Sequence, residues 1–129
     1  MNLQEKITMY MIDKKCPVLQ GYPYLKQSIE IACKDVCALT NVNSEIYGII
    51  AEQSRQDTRN IEKAIRTTKK QWWHNIQREP IFADWHDKAV CPPNKEFIRR
   101  LAAKFKSEEI SDVYFDTVEH VSIYERLFG

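Results

Sequence analysis

The segment from Thr58 to His74 constrains the fold more than any other part of the sequence. On a helical wheel with about 100° per residue, its core-type residues collect on one side and its basic residues on the other. The first side consists of Ile61, Ile65, Thr68 and Trp72, with the small Ala64 at its edge. The opposite side consists of Arg59, Lys63, Arg66 and Lys70. This pattern predicts a helix that packs against other helices and exposes a stripe of positive charge.

Apolar residues recur every three or four positions in most of the remaining chain, which predicts further amphipathic helices. Glycine occurs only three times and proline five times, so long flexible linkers are not expected. The additional predicted helices are 2–14, 23–39, 44–54, a short one at 81–85, and one that follows Pro92-Pro93. The sequence therefore predicts an all-α protein, a compact bundle of about six helices.

The charge is divided unevenly along the chain, although the formal net charge is only +1. Residues 107–129 hold six acids and one base, a net charge of −5, which leaves +6 on residues 1–106. We therefore expect two parts, a main domain at 1–106 and an acidic C-terminal extension at 107–129. The apolar residues of this extension also fit helical spacing, although Val113-Tyr114-Phe115 could equally form a strand.

The predicted helices Ser44–Ser54 and Thr58–His74, joined by the short polar Arg55-Gln56-Asp57, form a candidate helix-turn-helix. Four cations on one helix face repel one another, and DNA phosphates would offset that repulsion. The first turns of the second helix would enter the major groove. Residues with base-contacting chemistry there are Asn60, Glu62 and Lys63, which suit adenine, cytosine and guanine respectively. Residues placed to contact the DNA backbone are Arg59, Arg66 and Lys70. An ordinary solvated helix face is the alternative interpretation.

Other interpretations of the sequence are weaker. Trp72-Trp73 could stack on bases, but adjacent tryptophans more often pack in a core. The four cysteines have no zinc-site spacing, so we expect buried structural thiols and no metal. No glycine-rich phosphate loop or recognisable catalytic set is present, so we expect no enzyme, no cofactor and no small-molecule substrate. A nucleophile pair of Cys33 or Cys91 with a histidine stays open, but nothing locates the two together. Without a signal peptide or membrane span, a cytoplasmic protein is expected.

The chain resembles the effector domain of the sporulation-initiation response regulator family. The segment from Gly21 to Ile29 is similar to the Gly-Tyr-x-Tyr-Leu-Arg-Glu-Ala-Ile opening of that domain. Further matches are Tyr47, Ile50-Ala51, 61–66 and Trp73, which need no gap, and later in the chain 92–98. The likeness covers about residues 2–106. The resemblance implies a six-helix bundle whose fourth helix contacts the major groove. It also implies that two copies bind tandem DNA boxes head to tail, with late helices in contact across the pair.

Carried over by position, the family's base-contacting residues fall on Asn60, Glu62 and Lys63, and a backbone-contacting arginine falls on Arg66. The family has arginine at the positions of Asn60 and Lys63, so we expect an altered or relaxed sequence preference. Family members also carry a phosphorylated receiver domain before this region. The given sequence begins almost at the effector, so we expect no control by receiver phosphorylation.

Two functions are compatible with these features. The first is a double-stranded DNA-binding transcription regulator, acting as a homodimer or tandem pair. The alternative is a protein-interaction module that pairs with a full-length regulator and has lost DNA selectivity. The acidic extension would either fold over the basic stripe and weaken DNA binding, or build a dimer interface.

Overall fold

The computed structural model describes residues 1–109, which form a bundle of helices without a strand in that range. The helices are α1 (Leu3–Asp13), α2 (Tyr22–Lys34), α3 (Gly48–Ser54), α4 (Thr58–Ile76) and α5 (residues 94–109). A 3₁₀ segment at Val36–Asn41 and a π-turn at Asn43–Tyr47 precede α3, and a 3₁₀ turn at Pro80–Phe82 follows α4. The predicted all-α bundle of about six helices is confirmed. The expected structure of the acidic extension beyond residue 109 lies outside the described residues.

The core is formed where α1, α2, α4 and α5 face one another. Its largest fully buried side chains are Trp72, Phe82, Phe97, Ile7, Met11, Leu25, Ile29, Ile46, Ile50, Ile61, Ile65 and Ile76. The ring of Trp72 contacts that of Phe97 edge-on at 5.6 Å, and Phe82 stacks on Phe97 at 5.3 Å. α4 therefore has one side fixed in an aromatic and aliphatic interior.

The adjacent tryptophans belong to this core, as the second of their two interpretations predicted. Trp72 is fully buried, and its indole N–H donates to the carbonyl of Lys14 at 3.0 Å. Trp73 is 5% exposed, and its indole N–H donates to the carbonyl of Lys88 at 2.8 Å. Because both rings are buried and both indole N–H groups are hydrogen-bonded inside the protein, neither ring is available as a base-stacking platform.

Gly21 allows α2 to begin directly against α4. A Cβ at this position would lie 2.1 Å from the carbonyl oxygen of Ala64 and 2.5 Å from the hydroxyl of Thr68. No side chain fits that space, so the backbone of α2 can approach α4 only because residue 21 is glycine. This close contact fixes α4 relative to the rest of the bundle.

The prediction that α2 continues to Leu39 is wrong. The helix ends at Lys34, because Asp35 is extended (φ −140°, ψ 92°) and its side chain accepts from the amide of Cys37 at 3.1 Å. The chain restarts there as the 3₁₀ segment. Val36 and Cys37 consequently face outward, with Val36 69% exposed. Ile12 continues the apolar spacing of Leu3, Ile7 and Met11 in α1, yet it is also exposed.

The expectation of buried structural thiols holds for two cysteines. Cys16 and Cys33 are buried, and burial raises the pKa of the first thiol to about 12 and of the second to about 11. Cys37 is exposed and Cys91 is half-buried, which corrects the expectation for them. Residues 1–109 contain no group of three or more His, Cys, Asp or Glu side chains arranged to hold a metal ion. No helix in this range combines the length and apolar character needed to cross a membrane.

Candidate nucleic-acid interface

The turn before α4 is built by local backbone chemistry. α3 ends at Arg55, which has a left-handed backbone (φ 55°, ψ 42°), and the amide of Gln56 donates back to Ala51 at 3.0 Å. Asp57 is extended, and its carboxylate accepts from the amide of Arg59 at 2.8 Å. This side chain satisfies one of the first free amides of α4. The predicted pair of helices joined by a short turn is therefore present.

α4 separates its side chains into an inner and an outer side, as the wheel predicts. Ile61, Ile65, Thr68 and Trp72 are fully buried. The exposed residues of the first three turns are Arg59, Asn60, Lys63, Arg66, Thr67 and Lys70. The four cations of the predicted stripe thus point away from the core. Since the inner side is locked by packing, the positions of the outer side chains are fixed at their Cα atoms.

Most of the stripe has no counter-charge within residues 1–109. Arg66 pairs with Glu62, with 3.1 Å between Nη1 and Oε1. Among residues 1–109, no carboxylate forms an ion pair with Arg59, Lys63 or Lys70. Three exposed cations on one helix face therefore offer their charge to an external anion.

The three predicted base-contacting residues differ in their surroundings. Lys63 is exposed and carries no hydrogen bond within the described residues. Asn60 is exposed, and its amide lies 3.5 Å from the side-chain oxygen of Gln56, which is the limit of a weak bond. Glu62 is half-buried and its carboxylate is held by Arg66. Asn60 and Lys63 are presented together, whereas Glu62 first has to leave Arg66 before it can accept from a base.

A polar hollow of about 530 Å³ runs beside the start of α4 and joins residues that are distant in sequence. Its lining comprises Leu19, Gln20, Gly21, Gln56, Asn60, Lys63, Ala64, Thr67, Thr68 and Gln71. The glutamines were missed by sequence analysis. Gln71 could have been found, because it follows Lys63 and Thr67 at four-residue steps on one helix face. Gln20 could not, since only the contact between α2 and α4 brings it here.

A second hollow of about 480 Å³ lies near the end of α4, and its lining includes Lys70, His74 and Lys88. Lys88 comes from the loop before Pro92-Pro93, and its ammonium group donates to the carbonyl of Phe82. Sequence analysis assigned neither His74 nor Lys88 to the interface. They add further polar side chains past the end of the predicted stripe.

Lys69 shows that not every cation of α4 belongs to this surface. It is only 3% exposed, and burial lowers the pKa of its ammonium group below the ordinary value. The helical wheel separates it from Lys70, because adjacent residues lie about 100° apart and only Lys70 falls within the basic stripe. The outer surface therefore depends on which side of α4 faces the core, and not on the number of basic residues.

One comparison with known proteins bears on this surface. The family model described as "Sporulation initiation factor Spo0A C terminal" matches residues 10–105, about three quarters of the chain. The match includes α2, α3, the turn and all of α4, together with most of α5. The chain thus belongs to the Spo0A C-terminal family, the DNA-binding domain of a sporulation regulator.

Proposed function

We propose that this chain is a sequence-specific, double-stranded DNA-binding transcription regulator that uses α3 and α4 as a helix-turn-helix. The first turns of α4 enter the major groove, where side chains can distinguish all four base pairs. The observation that carries the proposal is the outer side of α4. It holds three exposed cations, Arg59, Lys63 and Lys70, that form no ion pair within residues 1–109, on a helix whose opposite side is buried.

Within this proposal the outer residues form two groups, one that contacts base edges and one that contacts the DNA backbone. Asn60 and Lys63 contact base edges, and Glu62 accepts from a cytosine amino group once Arg66 has moved to a phosphate. Arg59, Arg66 and Lys70 contact the DNA backbone and release condensed counterions, which supplies affinity without sequence preference. The polar hollow beside Lys63 offers further uncharged donors, Gln20 and Gln71, for phosphate oxygens.

The test is selection of bound duplexes from a random pool, repeated with Asn60→Ala and Lys63→Ala. Loss of a base-contacting side chain should cost about 1–3 kcal/mol of binding free energy and relax the sequence preference at one position of the DNA site. The matched control is Lys70→Ala, which should weaken all duplexes equally and reduce the slope of log affinity against log salt by about 1. Equal losses on every duplex for all three variants would reject base contact by Asn60 and Lys63.

Measuring duplex affinity against salt concentration also tests the alternative function, a protein-interaction module that no longer selects DNA. Affinity that falls steeply with salt and differs between duplexes supports the regulator. Weak affinity that is equal for all duplexes supports the module, which would act by pairing with a full-length regulator. A regulator of bacterial genes acts in the cytoplasm and binds as a homodimer or tandem pair, and we assign both properties to this chain as part of the proposal.

A further inference from the structure

An apolar groove lies on a part of the molecule that contains no residue of α4. It encloses about 630 Å³ and is lined by the end of α2, the 3₁₀ segment and one side of α5. Its apolar lining residues are Ala32, Cys33, Val36, Leu39, Ala102 and Ala103. At the contact between two of its walls, the Cys33 thiol lies 3.5 Å from the carbonyl oxygen of Ala102. Val36 is 69% exposed here and adds its side chain to the apolar lining.

The polar part of this groove is positively charged. Lys95, Arg99 and Lys106 come from α5 and line the groove together with Thr40 and Ser107. Arg99 is paired with Glu96, at 2.5 Å between Nη2 and Oε1. Lys95 and Lys106 have no ion pair within residues 1–109. An occupant should therefore combine apolar side chains with carboxylates.

The chain itself supplies such a segment next to the groove. Residues 110–129 follow directly on α5, and Ser107 at the end of α5 is part of the groove lining. This segment carries four acids and one base, a net charge of −3. Its apolar residues recur at three- and four-residue steps, namely Ile110, Val113, Tyr114, Val118, Val121 and Tyr124. The stretch of α5 from Lys95 to Ser107, which lines the groove, is about 18 Å long. A helix formed by residues 113–124 would have the same length.

We propose that the acidic segment 110–129 folds back and packs its apolar residues into this groove, with its carboxylates next to Lys95 and Lys106. The charges are complementary and the connection requires only a reversal of the chain after α5. The groove and the basic stripe of α4 share no residue, so docking here leaves the stripe free. The segment then covers the apolar groove instead of masking the DNA-binding surface.

The test uses the full chain and measures how fast a glutamyl endopeptidase cleaves after Glu119, with the fragments identified by mass spectrometry. Val36→Asp places a charge in the apolar lining and opposes the acidic segment. Loss of the contact between Val36 and the docked segment should make cleavage after Glu119 about tenfold faster. Lys106→Glu should accelerate cleavage in the same direction. The matched control is Val18→Asp, since Val18 is 85% exposed and lies outside the groove, and it should leave the rate unchanged.

Equal cleavage rates in Val36→Asp and in the unchanged chain, both folded by circular dichroism, would overturn the proposal. Protection that increases with protein concentration, together with a dimer in sedimentation that Val36→Asp dissociates, would also overturn it, because a second copy would then occupy the groove. Duplex affinity is measured on the same variants and should not change. Failure of the docking proposal is therefore distinguishable from failure of the DNA-binding proposal.

Discussion

At the scale of single residues, the outward chemistry of α4 depends on two side chains, Asn60 and Lys63. Both are exposed next to the polar hollow, and neither carries the planar fork of an arginine. Lysine is a flexible point donor, whereas arginine can form two parallel bonds to guanine. In the proposed binding mode, the identity of these two residues sets base preference without any change in the scaffold beneath them.

Lys63→Arg should sharpen the sequence preference of the chain. The guanidinium group can donate to both acceptors of a guanine, which adds about 1–3 kcal/mol of discrimination at one position. Duplex selection should recover guanine more strongly there. Lys70→Arg is the control, because a backbone contact should raise or lower affinity for all duplexes alike. Unchanged selected sequences for Lys63→Arg would show that residue 63 does not contact a base.

Gly21→Ala should destabilise the whole domain. The added Cβ would lie 2.1 Å from a backbone carbonyl of α4, so α2 would have to move at a cost of about 1–3 kcal/mol. Gly48→Ala is the matched control. Its Cβ would lie 3.4 Å from the carbonyl oxygen of Asn43, and alanine favours helix over glycine, so stability should stay equal or rise slightly.

The measurement for both glycine variants is urea unfolding followed by circular dichroism. A loss of stability in Gly48→Ala as large as that in Gly21→Ala would contradict the steric explanation. The cost would then come from helix glycines in general and not from the close contact between α2 and α4.

At the scale of elements, the start of α4 depends on one cap. Asp57→Ala removes the acceptor for the amide of Arg59 and should cost about 1 kcal/mol. Asp57→Asn keeps an acceptor of the same shape and should recover most of that loss. Denaturant unfolding measures both. If the asparagine variant were as unstable as the alanine variant, the carboxylate charge and not the cap bond would be the stabilising feature.

The helices that the sequence predicts well are those whose two sides differ most. α4 was predicted from Thr58, where it begins, because isoleucines and cations alternate at helical spacing over its first turns. The end of α2 was missed, since Val36 and Leu39 continue the apolar spacing beyond Lys34. The interruption comes from one side-chain bond of Asp35 to a backbone amide. Periodicity cannot detect such a bond, because it leaves the spacing of apolar residues unchanged.

The candidate interface was predictable only where it lies on one helix. The exposure of Arg59, Lys63, Arg66 and Lys70 followed from the wheel and is confirmed. The pairing of Glu62 with Arg66 depends on rotamers, and the approach of Gln20 depends on the contact through Gly21. The ion pair forms within α4 between residues four apart, whereas the approach of Gln20 arises from tertiary structure. Base contact by Asn60, Glu62 and Lys63 stays a prediction.

At the scale of the whole molecule, a charged cluster joins α5 to the segment after α4. The guanidinium group of Arg100 donates to the carbonyl of Ile81 at 2.8 Å and pairs with Asp84 and Glu96. It also lies 5.7 Å from the ring of Trp85. These contacts hold α5 to the segment after α4 at the protein surface, while Phe82 and Phe97 stack in the core beneath them. The position of α5 therefore depends on carboxylates as well as on the apolar core.

This cluster predicts a loss of stability in acid that depends on Glu96. Bonds from Arg99 and Arg100 lower the pKa of Glu96 from 4.5 to about 2. A group with a depressed folded-state pKa stabilises the protein above its unfolded pKa, and that contribution is lost as the pH falls from about 4.5 toward 2. Urea unfolding should show Glu96→Gln less stable than the unchanged chain at pH 7, with the difference shrinking across this range. Glu52→Gln, which removes an exposed carboxylate without an ion pair in the described residues, is the control. A difference for Glu96→Gln that is as large at pH 2.5 as at pH 7 would mean that packing, and not the ionised carboxylate, holds α5 in place.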